Sequence, residues 1–88
     1  MPNNTQQYWK TSDYYLAAFL YARGAVIVGI EAPDARPFFT FVDTTDRKKW
    51  HKEYQSDNPT VDVRLYVYAL RDLQQRGRKA VFDPDGTY

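Results

Sequence analysis

An α+β domain, a small antiparallel sheet built on a β-hairpin and packed with three helices, is the fold class this sequence predicts. Three observations carry that expectation: one helical segment bracketed by its own start and stop residues, two β-rich segments separated by a proline turn, and a long C-terminal segment with helical spacing. A chain of 88 residues leaves room for one core. Residues 1–7, polar and interrupted by Pro2, read as a flexible N-terminal arm, residues 8–79 as the single domain, and residues 80–88 as a C-terminal tail.

Tyr8-Trp9-Lys10 has strand-like residue types over a length too short to decide by itself. Thr11-Ser12-Asp13 supplies N-cap candidates, and Leu16, Phe19 and Leu20 share one helical face among the helix-favouring Ala17, Ala18 and Ala22. Arg23 in the last turn and Gly24 beyond it form the stop, which predicts a helix over about 12–23. Ala25 to Glu31 is β-branched, Pro37 to Val42 is aromatic and extended, and Ala32-Pro33-Asp34-Ala35-Arg36 between them is turn chemistry. Pro37 cannot donate to a ladder, so the second strand of this hairpin starts there or lies at an edge.

A second helix follows, capped by Asp43, Thr44 or Thr45 and running to about Gln55, with a thin apolar stripe of Trp50 and Tyr54 that suits a surface helix. Residues 61–68 fit both periods: Val61, Val63, Leu65 and Val67 alternate as in a strand, yet Val63, Tyr66, Val67, Leu70 and Leu73 share a helical face. Length favours a helix, because the pattern continues to Arg76 and reaches a stop signal at Gly77.

Composition narrows the functions. Hydrophobic residues at 43% and charged residues at 26% are ordinary globular values and argue against a disordered chain. The absence of cysteine excludes a disulfide scaffold, a cysteine-ligated metal site and a thiol nucleophile, and it fits a reducing, cytoplasmic setting. The longest apolar run, Ala25 to Ile30, is too short to span a bilayer. Charge is uneven: residues 44–79 hold nine Lys and Arg against five Asp and Glu, whereas residues 1–43 hold three against four. The positive field therefore belongs to the C-terminal half.

The segment from Tyr8 to Gly24 has a Lys-Thr-Ser-Asp junction followed by a Leu-Ala-Ala helix ending in a basic residue and glycine. It resembles the opening of domain-of-unknown-function family 5659, small stand-alone proteins of bacteria and phages. Ile27 to Glu31, Phe38 to Phe41, and Val61-Asp62 leading to Tyr68-Ala69-Leu70-Arg71-Asp72-Leu73 are similar too, so the resemblance spans about residues 8–76. It implies a fold and a mobile-element setting, with no activity attached.

Candidate sites follow from charge and rings. Arg47, Lys48, Lys49 and Lys52 surround Trp50 and His51, and Arg71, Arg76, Arg78 and Lys79 gather near the end of the last helix. Cations for phosphates beside rings for bases suit nucleic acid, against the plainer reading of solvated helix faces. Lys10, Thr11 and Ser12 at a strand-to-helix junction form a weak anion-site candidate, against simple capping by Asp13. Fifteen rings, 8 Tyr, 5 Phe and 2 Trp, exceed what so small a core hides, which predicts a homo-oligomer with Tyr14, Tyr21, Tyr66 or Tyr68 at the contact. His51 reads as a surface residue, and Asp83-Pro84-Asp85-Gly86 as a turn that lacks the remaining positions of a calcium loop.

No nucleophile-base pair, metal set or phosphate loop is visible, which points away from an enzyme and from any cofactor. The sequence therefore predicts a non-enzymatic accessory protein that binds nucleic acid with weak sequence specificity. The alternative is a regulator that binds a host protein through an aromatic-rich surface.

Overall fold

A computed structural model describes residues 6–82. The chain runs β1 (Tyr8–Thr11), α1 (Tyr14–Arg23), β2 (Ile27–Glu31), β3 (Phe38–Val42), α2 (Thr45–Tyr54) and α3 (Val63–Phe82). The result is an α+β fold, one antiparallel sheet in the order β1-β3-β2 with three helices.

Local chemistry sets the helix ends. Asp13 caps α1 by accepting from the backbone N–H groups of Tyr15 and Leu16 at 3.0 and 3.2 Å. The helix thus begins after Asp13 rather than at residue 12, because Asp13 is held in extended backbone while its carboxylate does the capping. Gly24 closes the other end in the left-handed region at φ 113, where a side chain would be strained. Thr44, of the three residues expected to cap α2, accepts from the Arg47 N–H at 3.0 Å.

The hairpin forms as the turn at residues 32–36 predicts, with Ile30 opposite Phe39 and Glu31 opposite Phe38. Strand β3 begins just after Pro37, so the proline escapes the ladder, but the strand is central rather than an edge. The partner that makes it central is β1, with Trp9 opposite Phe41 and Thr11 opposite Phe39. Both outer strands run antiparallel to β3, so β1 and β2 are parallel to each other, and α1 carries the chain between them.

Side chains alternate across the sheet. Phe39 and Phe41 point inward and are wholly buried against Leu16, Phe19 and Leu20 of α1 and Ala69 and Leu73 of α3. Burying rings and leucines of this size stabilises by about 1.5–3 kcal/mol each. Helix α1 is the central helix: α2 packs on one flank and reaches Trp9 of β1, and α3 packs on the other and reaches β2.

Helix α3 contains the main departure from expectation. Residues 63–68 are helical, and Gly77 does not stop the helix, which continues to Phe82 and takes in residues 80–82 of the expected tail. Gly77 is buried where α3 packs against Tyr14 of α1 and Pro37. A Cβ there would strike the Tyr14 hydroxyl and lie 3.1–3.2 Å from the Pro37 ring. The residue is glycine for close approach, and packing outweighs the cost of about 1 kcal/mol for glycine inside a helix.

Candidate nucleic-acid interface

The two expected basic clusters sit on different helices and are not brought together. Lys48, Lys49 and Lys52 are exposed on α2 and line a shallow depression with Thr45. Arg71, Arg78 and Lys79 are exposed on α3, whose final turns lie beside the β2–β3 turn, where Ala80 faces Ala32 and Pro33. Arg76 is half-buried and donates to Asp72 one helical turn earlier at 3.3 Å.

Arg47 leaves the surface altogether. Its side chain is only 6% exposed, its Nε donates to Asp43 Oδ1 at 2.8 Å, and its guanidinium lies 4.1 Å from the centre of the Trp9 ring. One Nη donates to His51 Nδ1 at 3.2 Å, which places the proton of neutral His51 on Nε2. His51 is therefore half-buried rather than a plain surface residue, with its ring 5.2 Å from that of Trp9. Burial lowers its pKa from the ordinary imidazole value, the Arg47 charge adds to this, and Asp13 opposes it. This Asp43–Arg47–Trp9–His51 stack fastens α2 to β1 and is structural.

Helix α3 presents a row that counting cations by segment passes over. Arg64, Arg71 and Arg78 recur every seven residues, and all three are exposed. Seven residues bring a helix within about 20° of two full turns, so the three side chains share one line at intervals of about 10.5 Å. Tyr68 (64% exposed) and Gln75 lie between them on the same face. The only acidic residue of α3, Asp72, is turned away toward Arg76 and the Tyr21 hydroxyl. Arg64 was the missing member of the expected set, and its spacing from Arg71 and Arg78 was the readable signal.

The four tyrosines expected at a contact divide differently. Tyr14, Tyr21 and Tyr66 pack against the core: Tyr14 meets Phe39 edge-on at 5.2 Å, Tyr66 reaches the Tyr15 carbonyl, and Tyr21 hydrogen-bonds Asp72. Burial raises the phenol pKa of Tyr14 and of Tyr66, and the hydrogen bond to Asp72 leads the rise at Tyr21. Tyr68 alone of the four is exposed, joined by Tyr8 and Tyr15. Part of the aromatic surplus is thus taken up by half-buried rings at the edge of a thin core, Tyr14, Tyr21, Tyr54 and Tyr66, while Tyr8, Tyr15 and Tyr68 stay exposed.

At the α1 N-terminus no anion cradle assembles. Thr11 Oγ1 accepts from the Asp13 N–H at 3.1 Å, and Asp13 fills the helix end. Lys10 stands on the opposite side of the sheet, paired with Glu31. Asp83 to Gly86 lie outside the described residues. No helix among the described residues is long and apolar enough to cross a membrane.

A family model described as Domain of unknown function (DUF5659) matches residues 6–78, which takes in every strand and most of α3. No curated protein and no solved structure matches the chain.

Proposed function

The chain belongs to the DUF5659 family, and we propose that it is a non-enzymatic cytoplasmic accessory protein that binds nucleic acid with weak sequence specificity through the outer face of α3. The observation that carries this reading is the exposed row of Arg64, Arg71 and Arg78 on a helix face without acidic residues. Guanidinium groups at fixed intervals contact phosphates, which fixes position on the polymer without reading its sequence. Tyr68, between the first two, offers a ring on which an unpaired base stacks. The lysines of α2 form a separate cluster that adds long-range attraction.

Fluorescence anisotropy with labelled single- and double-stranded oligonucleotides at two salt concentrations tests the reading. The double variant Arg71→Ala/Arg78→Ala weakens binding and flattens the salt dependence by about two units of slope. Lys48→Ala/Lys49→Ala has the smaller effect. Absence of binding at low salt, or binding untouched by the α3 double variant, overturns the proposal.

A second reading, a regulator that binds a host protein, is favoured by the groove between α1 and α3. Tyr21, Ala22, Leu65, Tyr68, Ala69 and Asp72 line it, and Leu65 is 51% exposed beside it. Such binding is stoichiometric and changes little with salt, which separates it from the first reading.

A further inference from the structure

The outer face of α3 carries more than arginine. Arg64, Tyr68, Arg71, Gln75, Arg78 and Phe82 follow one another at intervals that alternate between four and three residues, and every one of them is exposed. Such intervals average 3.5 residues, so the six side chains keep to one line along the helix at steps of about 5 Å. Each cation is followed by a flat group: the Tyr68 ring, the Gln75 amide, the Phe82 ring. Tyr68 is 64% exposed and Phe82 80%, and neither ring packs against the hydrophobic core. One exposed ring on a surface is ordinary. Two rings in register with three arginines, on a line that holds no acidic residue, make a repeat of positive charge and stacking surface.

We infer that this row is a track for single-stranded nucleic acid, whose phosphates meet the three arginines and whose unpaired bases stack on Tyr68 and Phe82. The inference rests on the nucleic-acid reading above and narrows it to strands without a complement. Charge selects a polyanion, and the rings select among polyanions. In a duplex the bases are paired and stacked on one another, so an outside row of rings would meet only sugars and phosphates, and base edges are reached through a groove by hydrogen-bonding side chains. An unpaired strand offers base faces, and a ring takes any of them because every base has a π-face. Weak sequence specificity follows from that tolerance.

Shape points the same way. The row from Arg64 to Arg78 is straight and about 21 Å long. A strand of a duplex completes a turn in about 34–36 Å and so winds away from a straight row, whereas a flexible single strand can be laid along it. From Arg64 to Phe82 the track is about 27 Å, enough for about eight nucleotides at about 3.4 Å each. Gln75, midway between the rings, can donate to or accept from a base edge through its amide. An anionic lipid surface would call for a continuous apolar stripe, and here guanidinium groups separate the rings.

Fluorescence anisotropy of the full chain at low salt tests the inference with three labelled probes of equal length, about twelve nucleotides: a mixed-sequence strand, in DNA and in RNA; the DNA duplex; and an abasic DNA strand, which keeps the phosphates and lacks the bases. The base-bearing strand is expected to bind more tightly than either of the others. Tyr68→Ala/Phe82→Ala should weaken binding of that strand by about ten-fold or more, leave its salt slope unchanged because no phosphate contact is lost, and leave the abasic strand unaffected. Its circular-dichroism spectrum and melting temperature should match the wild type, since both rings stand outside the core. Arg71→Ala/Arg78→Ala should weaken the base-bearing and abasic strands alike. A duplex bound as tightly as the single strand overturns the inference and leaves the nucleic-acid reading standing. So does a ring variant that binds the base-bearing strand as the wild type does, or that loses as much on the abasic strand. No binding of any probe overturns the nucleic-acid reading and this inference with it, and binding to phosphatidylserine vesicles in place of the probes would give the face to a lipid surface.

Discussion

Helices α2 and α3 carry four and five Lys and Arg residues, yet they put them to opposite uses. In α2 three of the four are consecutive, and successive residues on a helix point about 100° apart, so Arg47, Lys48 and Lys49 cannot share a face. Docking the helix turns one of them inward, and Arg47 is the one that finds Asp43 and Trp9. In α3 the spacing of seven keeps Arg64, Arg71 and Arg78 on one line, while Ala69, Leu73 and Gly77, four apart, make the buried stripe. A run of cations sets how much charge a helix carries; the interval between them sets whether a partner can meet it.

The contrast is broken most directly by removing one arginine from each helix. Arg47→Ala leaves the Asp43 carboxylate, itself 14% exposed, without its partner and strips the Trp9 ring of its stack. A loss of about 3 kcal/mol is expected in urea unfolding, read as a lower midpoint with unchanged slope. Arg71→Ala, on the solvent side of α3, should stay within about 0.5 kcal/mol. Equal losses at the two sites would erase the distinction between a structural arginine and a surface one.

A second comparison lies within α3, between its buried stripe and its exposed row. Gly77→Ala gains helix propensity of about 1 kcal/mol but drives a methyl group into the Tyr14 hydroxyl and the Pro37 ring. Overpacking of this kind costs about 1–3 kcal/mol. A net loss of about 1 kcal/mol is therefore expected in the same unfolding assay, against no measurable change for Gln75→Ala two residues away. Stabilisation by Gly77→Ala would mean that α3 stands off from α1 further than this packing requires.

These sites also mark where the sequence was legible. The ends of α1 were readable because each is set by one residue acting on its neighbours, Asp13 by its carboxylate and Gly24 by its φ. The β2–β3 hairpin was readable for the same reason, its turn being contiguous with both strands. Gly77 obeys the stop rule in sequence and breaks it in space, because the reason for its being glycine lies 63 residues back at Tyr14. Arg47 is likewise explained by Trp9, whose own partner on β3, Phe41, is 32 residues on. Of the expected phosphate-binding set, Lys48, Lys49, Lys52, Arg71, Arg78 and Lys79 are where a partner could reach them. Tyr14, Tyr21 and Tyr66 misled because a ring half-buried at the edge of a thin core is counted by composition as surplus, whereas Tyr68 is exposed as expected.

His51 gives the smallest effect and the sharpest sign. It is the only histidine, so between pH 7 and pH 6 it is the side chain whose charge changes without help from its surroundings. Folding lowers its pKa, because burial and the adjacent Arg47 charge both oppose a second proton, and because protonated Nδ1 could no longer accept from the guanidinium. The unfolded chain, with an imidazole near its ordinary pKa of about 6.5, then binds more protons than the folded chain throughout this window. Stability is full above the unfolded pKa and falls as the pH drops through it toward the folded value. Chemical unfolding at pH 7.5 and at pH 6.0 should give the lower free energy at pH 6.0. His51→Gln keeps an acceptor for Arg47 but cannot titrate, and the difference between the two pH values should vanish in that variant. A wild-type protein more stable at pH 6.0 would mean that the Asp13 carboxylate, which favours the charged ring, outweighs Arg47 and burial. The stack that fastens α2 would then be built around an imidazolium.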